Sequence, residues 1–193
     1  RGIAEWLVTL LGEGVPTVVG IDHAFAFPIE YFQKYGLPPG WHLFLDDFQR
    51  HWPTDGDHLY VDFVRDGAHG DGRARVGERR WRRLAERWAG ALSAFQFDVQ
   101  GSVAKSTHAG LPWLRHIRHA VPEKVHFWPF EGWDVPAGSS AVVEVYPALW
   151  NRGVEKPGFS DHERDAFVVA EWLRDADRDG RLADALAPRL SAV

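Results

Sequence analysis

Cysteine and methionine are both absent from the 193 residues. The lack of cysteine excludes disulfides, thiolate zinc ligands and a cysteine nucleophile. No apolar run approaches the roughly 18 residues that a membrane span needs, and no basic-then-apolar leader opens the chain. A soluble, cytoplasmic protein with no membrane partner is therefore expected. G-x-S-x-G is missing, which removes the serine-hydrolase elbow. No glycine-rich phosphate loop precedes a Lys-Ser or Lys-Thr pair. The ten histidines are scattered and never take the H-E-x-x-H spacing of a zinc site. Positive charge is also in deficit, with 22 Lys and Arg against 27 Asp and Glu and a net charge of −5. That balance disfavours indiscriminate nucleic-acid binding.

What is abundant is aromatic: ten Trp and twelve Phe point to a ring-lined core or groove. The charge deficit reverses locally in RARVGERRWRRLAER (73–87), where seven arginines face two glutamates. One domain over residues 1–193 is expected, with a glycine- and aspartate-rich insertion at about 52–77 around a short strand (59–64). Helices are predicted over 3–11, 28–35, 78–95, 110–119 and 160–175, and strands over 18–21, 125–128 and 141–146. Within 78–95, Trp81, Leu84 and Trp88 mark an apolar face. Ser160 and Glu163 form a capping box, in which each side chain satisfies a backbone donor of the first turn. Strands alternating with helices argue for α/β architecture with a largely parallel sheet.

Two of the strands carry an acid where burial is costly. VVGI runs straight into Asp22, and Glu144 sits among Val142, Val143 and Val145. Ligands of open α/β sheets bind at the carboxyl ends of strands. Asp161 and Asp165 lie four apart on one helix face, with His162 between them. Converging carboxylates repel unless a cation neutralises them, and an oxygen-only ligand set suits Mg²⁺ or Mn²⁺. Each acid alone has a plainer role as a turn, cap or ion-pair residue.

Lys105, Ser106, Thr107 and His108, set before a helix expected from Gly110, make a candidate phosphate cradle. Arg79, Arg80 and Arg83 are candidates for contact along a phosphate backbone, the plainer alternative being a solvated basic face. DADRDGRLADAL (175–186) begins like a calcium loop but ends in Leu186, where a bidentate glutamate belongs, so calcium is rejected.

Together VVGIDHAFAFP, GSVAKSTHAGLPWLR, FWPFEGW, AVVEVYPALW and DHERDAFVVAEWL resemble the family known as domain of unknown function 429, whose members are regarded as predicted nucleases of ribonuclease H-like fold. The resemblance runs from about residue 3 to residue 180 and rests on G-I-D-x-x-x-x-x-P, T-H-x-G, E-V-Y-P and D-A in combination. It implies a central mixed sheet flanked by helices, and a divalent-metal-dependent nuclease. Asp22, Glu144 and Asp165 would be catalytic and metal-holding residues, with Asp161 as a further ligand. The three-stranded N-terminal meander of such folds, with its leading aspartate, has no counterpart here. The domain is therefore expected to be N-terminally incomplete, with either sequence ahead of Arg1 or a partner, such as a second copy, covering the open sheet edge. The alternative expectation is a non-catalytic binding or interaction protein that keeps the ribonuclease H-like fold.

Overall fold

The computed structural model describes residues 1–187. The protein is mixed α/β, and its contacts cluster into two compact units. One comprises residues 1–12 and 23–122; the other comprises residues 13–22 and the chain from Glu123 onward. Among the described residues, no helix is long and apolar enough to cross a membrane.

The first unit is helical. It contains α1 (Gly2–Gly12), α2 (Ile29–Tyr35), α3 (Trp41–His51), α4 (Val61–Arg65), α5 (Leu84–Ala89) and α6 (Ala104–Ala120). Its core is a stack of rings. Phe27 lies 4.8 Å from Tyr31, 5.4 Å from Phe44, 5.3 Å from Phe48, 4.5 Å from Phe95 and 5.2 Å from His108. Such ring pairs contribute about 0.5–1.5 kcal/mol each beyond the area they bury. Helix α3, not among the expected elements, supplies Trp41, Phe44, Leu45 and Phe48 to the buried face. That spacing is the i, i+3, i+4, i+7 signature of an amphipathic helix.

Three expectations are corrected in this unit. Residues 59–64 form no strand: Val61 and Val64 are buried with exposed residues between them, a helical period, and α4 results. The helix expected over 78–95 shrinks to six residues in α5, which Gly90 closes in a left-handed conformation at φ 68°. Its assumed core face is inverted, since Leu84 is 80% and Trp88 81% exposed. The helix expected from Gly110 starts at Ala104 and passes through Pro112.

Proline lacks an N–H, so Pro112 cannot bond the carbonyl of His108 one turn back. The buried Thr54 hydroxyl takes that place, donating to His108 O at 3.1 Å and Ala109 O at 3.0 Å. This side-chain donor lets α6 continue across the proline.

The second unit holds the sheet, of β1 (Val18–Ile21), β2 (Val125–Trp128) and β3 (Ser140–Glu144), in the order β1-β3-β2. Both pairings are parallel, as strands alternating with helices predict, and not mixed as the family resemblance implies. β1 and β2 have the bounds read from the sequence. Helix α7 (Asp161–Arg178) packs on β1, followed by α8 (Arg181–Leu186). The capping box holds: Ser160 Oγ accepts from Glu163 N–H at 3.3 Å, and Ser160 N–H donates to Glu163 Oε2 at 2.8 Å. The Ser160 N–H, and then the Ser160 hydroxyl 2.7 Å from Glu163 Oε2, hold the Glu163 carboxyl below its ordinary pKa.

Candidate carboxylate site

Gly20 sets the geometry of the acid cluster. A Cβ there would lie 2.9 Å from Val145 Cγ1 and 3.1 Å from Val169 Cγ1, so only glycine lets α7 approach β1 this closely. Asp165 precedes Val169 by one turn and shares its face. Four helical residues rise about 6 Å, and two strand residues span about 6.6 Å. With Val169 over Gly20, Asp165 is therefore brought level with Asp22. On the strand side, Ile21 pairs with Glu144 in register, so Asp22 lies one residue beyond that pair, at the carboxyl end of β1.

The electrostatics agree with this placement. Asp22 is exposed by residue area, yet protein crowds its carboxyl, and desolvation is the largest cause of its raised pKa. The charges of Asp165 and then Glu144 raise it further, while His162 opposes them. Asp22, Glu144 and Asp165 thus share one electrostatic neighbourhood at the carboxyl ends of parallel strands. The side chain of Asn151 donates to Asp165 Oδ1 at 2.8 Å, and Arg164 stands 3.6 Å from the same oxygen.

Asp161 behaves differently. Its carboxylate is 83% exposed, pairs with Arg164 at 2.9 Å, and is not among the principal charges acting on Asp22. His162 and Asn151 are members of the neighbourhood that sequence reasoning leaves without a role. His162 is legible beside Asp165, whereas Asn151 carries no local signal. In kind, a set of three carboxylates fits a hard divalent cation. In placement, no three His, Asp or Glu side chains among the described residues form a group ready to hold one.

The second candidate constellation takes a different form from the expected cradle. Lys105, Ser106, Thr107 and His108 lie inside α6 rather than in a loop before it. Lys105 pairs with Asp62 at 2.8 Å, and Ser106 Oγ donates to Val103 O at 3.0 Å. Thr107 and His108 are wholly buried. Thr107 Oγ1 accepts from Ala24 N–H at 3.0 Å. A Cβ at Gly110 would lie 2.2 Å from His23 Nε2. The T-H-x-G element therefore locks α6 against residues 23–27 by packing and hydrogen bonding.

Of the arginines, Arg79 and Arg80 are exposed, whereas Arg83 bonds Glu86, itself buried, at 2.9 Å. No family model, characterised protein or solved structure matches this chain.

Proposed function

We propose that Asp22, Glu144 and Asp165 hold a divalent cation, Mg²⁺ or Mn²⁺, and that the protein is a metal-dependent nuclease of the ribonuclease H-like, domain-429 type. The arrangement that carries the reading is Asp22 at the carboxyl end of β1, with Glu144 ending the neighbouring strand and Asp165 one turn before Val169, which packs over Gly20. Like charges gathered at a strand end are costly to the fold, and a cation removes that cost. A bound cation would supply Lewis acidity toward a phosphodiester.

The chain's own residues have defined parts. Asp22 holds a proton more readily than an ordinary aspartate and gives it up when positive charge arrives. Asn151 orients Asp165 through its amide. His162 adds favourable charge beside Asp22 when protonated. Exposed Arg79 and Arg80 are the proposed contacts to nucleic-acid phosphates.

Mn²⁺ calorimetry on the parent, Asp22→Asn and Asp165→Asn tests the site. Binding in the parent that both variants lose is expected, followed by Mn²⁺-dependent cleavage of single- or double-stranded oligonucleotides. If both variants bind Mn²⁺ as the parent does, the assignment of these carboxylates is wrong.

A second reading, a binding protein without catalysis, is favoured by one observation. Asp165 already accepts a hydrogen bond from Asn151 and stands beside Arg164. Absence of Mn²⁺ binding in the parent would select it.

A further inference from the structure

The helical unit contains a cavity of about 170 Å³ whose lining includes Trp52, Phe95, Phe97, Val76, Arg65 and His108. An apolar cavity of about 150 Å³ accepts one benzene ring, so this one has room for a single six-membered ring. The walls are aromatic: His108 lies 4.6 Å from Trp52 and 4.5 Å from Phe97, ring centre to ring centre.

One atom in this setting is anomalous. His108 Nδ1 lies 2.9 Å from Ala104 O. A carbonyl oxygen only accepts, so Nδ1 carries the hydrogen and Nε2 presents a lone pair. Nε2 is buried and has no hydrogen-bond partner, a state that few buried polar atoms occupy.

The neighbouring donors are engaged with other partners. Trp52 Nε1–H donates to Arg75 O at 3.2 Å, and Arg65 donates to both Asp98 carboxylate oxygens, at 2.9 and 2.8 Å. Arg65 also stacks over Phe97, 5.0 Å from its centroid, which sets a positive charge beside the cavity and disfavours a cation inside it.

We propose that this cavity binds a small, neutral, single-ring compound bearing one O–H or N–H, a phenol in its simplest form, which donates to His108 Nε2 while its ring packs among Trp52, Phe95 and Phe97. The site is independent of the carboxylate cluster and of the nuclease reading.

The test uses the full chain and three probes of similar size: phenol, anisole and benzene. Phenol is expected to bind about fivefold more tightly than anisole, the typical net worth of one hydrogen bond. The ¹⁵N resonance of His108 Nε2 is expected to move toward its hydrogen-bonded position with phenol and to stay in place with benzene. His108→Phe is expected to retain benzene binding and lose the preference for phenol; should that variant not fold, the two readings on the parent decide.

Equal affinity for phenol and anisole would overturn the proposal, as would failure of phenol to bind. An Nε2 resonance already at its hydrogen-bonded position, and unmoved by phenol, would also overturn it. In that case a water holds the site.

Discussion

Gly110→Ala is a substitution that helix propensity alone would recommend. Residue 110 lies inside α6, where alanine is worth about 1 kcal/mol over glycine. The structure reverses the sign. The added Cβ would meet His23 Nε2 at 2.2 Å, Cδ2 at 2.6 Å and Cε1 at 2.8 Å, all far inside contact. His23 is 8% exposed, its Nδ1 lies 3.0 Å from Ala24 O, and it packs 5.4 Å from Phe25, so the ring has little room to move. Overpacking of this kind costs about 1–3 kcal/mol. A clash more than an ångström deep against a buried ring belongs at the upper end, so the net loss is about 2 kcal/mol after the propensity gain. Urea unfolding of Gly110→Ala, His23→Ala and the double variant measures it. In the His23→Ala background the ring is gone, and Gly110→Ala should stabilise by about 1 kcal/mol. The coupling between the two sites is then about 3 kcal/mol. A Gly110→Ala effect of the same sign and size in both backgrounds would refute the argument, because the cost would then lie in the backbone and not in His23.

Asp22→Asn should raise stability at pH 7. The folded pKa of Asp22 lies above its ordinary 3.8, so ionisation penalises the fold. The penalty is absent below about that value and complete above the folded pKa, so the gain from Asn should fade as urea midpoints are taken into acid. Burial pushes the His108 imidazole down from 6.5 to about 3. The unfolded chain therefore takes up a proton that the folded chain refuses, and stability should fall by about 1.4 kcal/mol per pH unit below about pH 6.5. Urea titrations between pH 7 and pH 5 read this slope, and His108→Phe should flatten it. Thr54→Val should cost about 1–3 kcal/mol by stranding the His108 carbonyl, which Pro112 cannot bond. Pro112→Ala, which restores an N–H for His108 O, should recover part of that loss, read by thermal unfolding of the pair.

The parts of the fold that were legible share one property: their signal is local. β1 and β2 are short β-branched or aromatic runs bounded by breakers, and α7 announces itself through Ser160 and Glu163. The misreadings occur where tertiary packing decides. Leu59 to Val64 is too short for its pattern to separate a strand from a helix, and burial of Val61 with Val64 settles it as α4. Lys105 to Gly110 has the polarity of a loop, but its Thr and His are buried in the core and its glycine makes room for His23. Nothing local distinguishes a hydroxyl that accepts from Ala24 from one that awaits a phosphate. Arg83 likewise looks available in sequence, whereas its guanidinium is committed to Glu86.

The candidate carboxylate cluster shows the converse: its acids stand out in the sequence, and their proximity does not. Asp22 and Glu144 stand out because strand burial makes an acid costly, but only register and helix placement bring Asp165 to them. Gly20 is the residue that links the two: its missing side chain admits Val169, and Val169 carries Asp165 one turn behind it. Gly20→Ala should therefore move Asp165 away from Asp22 as well as loosen the packing of α7 on β1. The consequence is distinctive, because a variant that damages packing would also relieve the repulsion on Asp22. Its carboxyl pKa, followed by ¹³C NMR, should fall toward the ordinary aspartate value in Gly20→Ala. If Gly20 does not set how closely α7 and Asp165 approach Asp22, that pKa will stay unchanged so long as the fold persists.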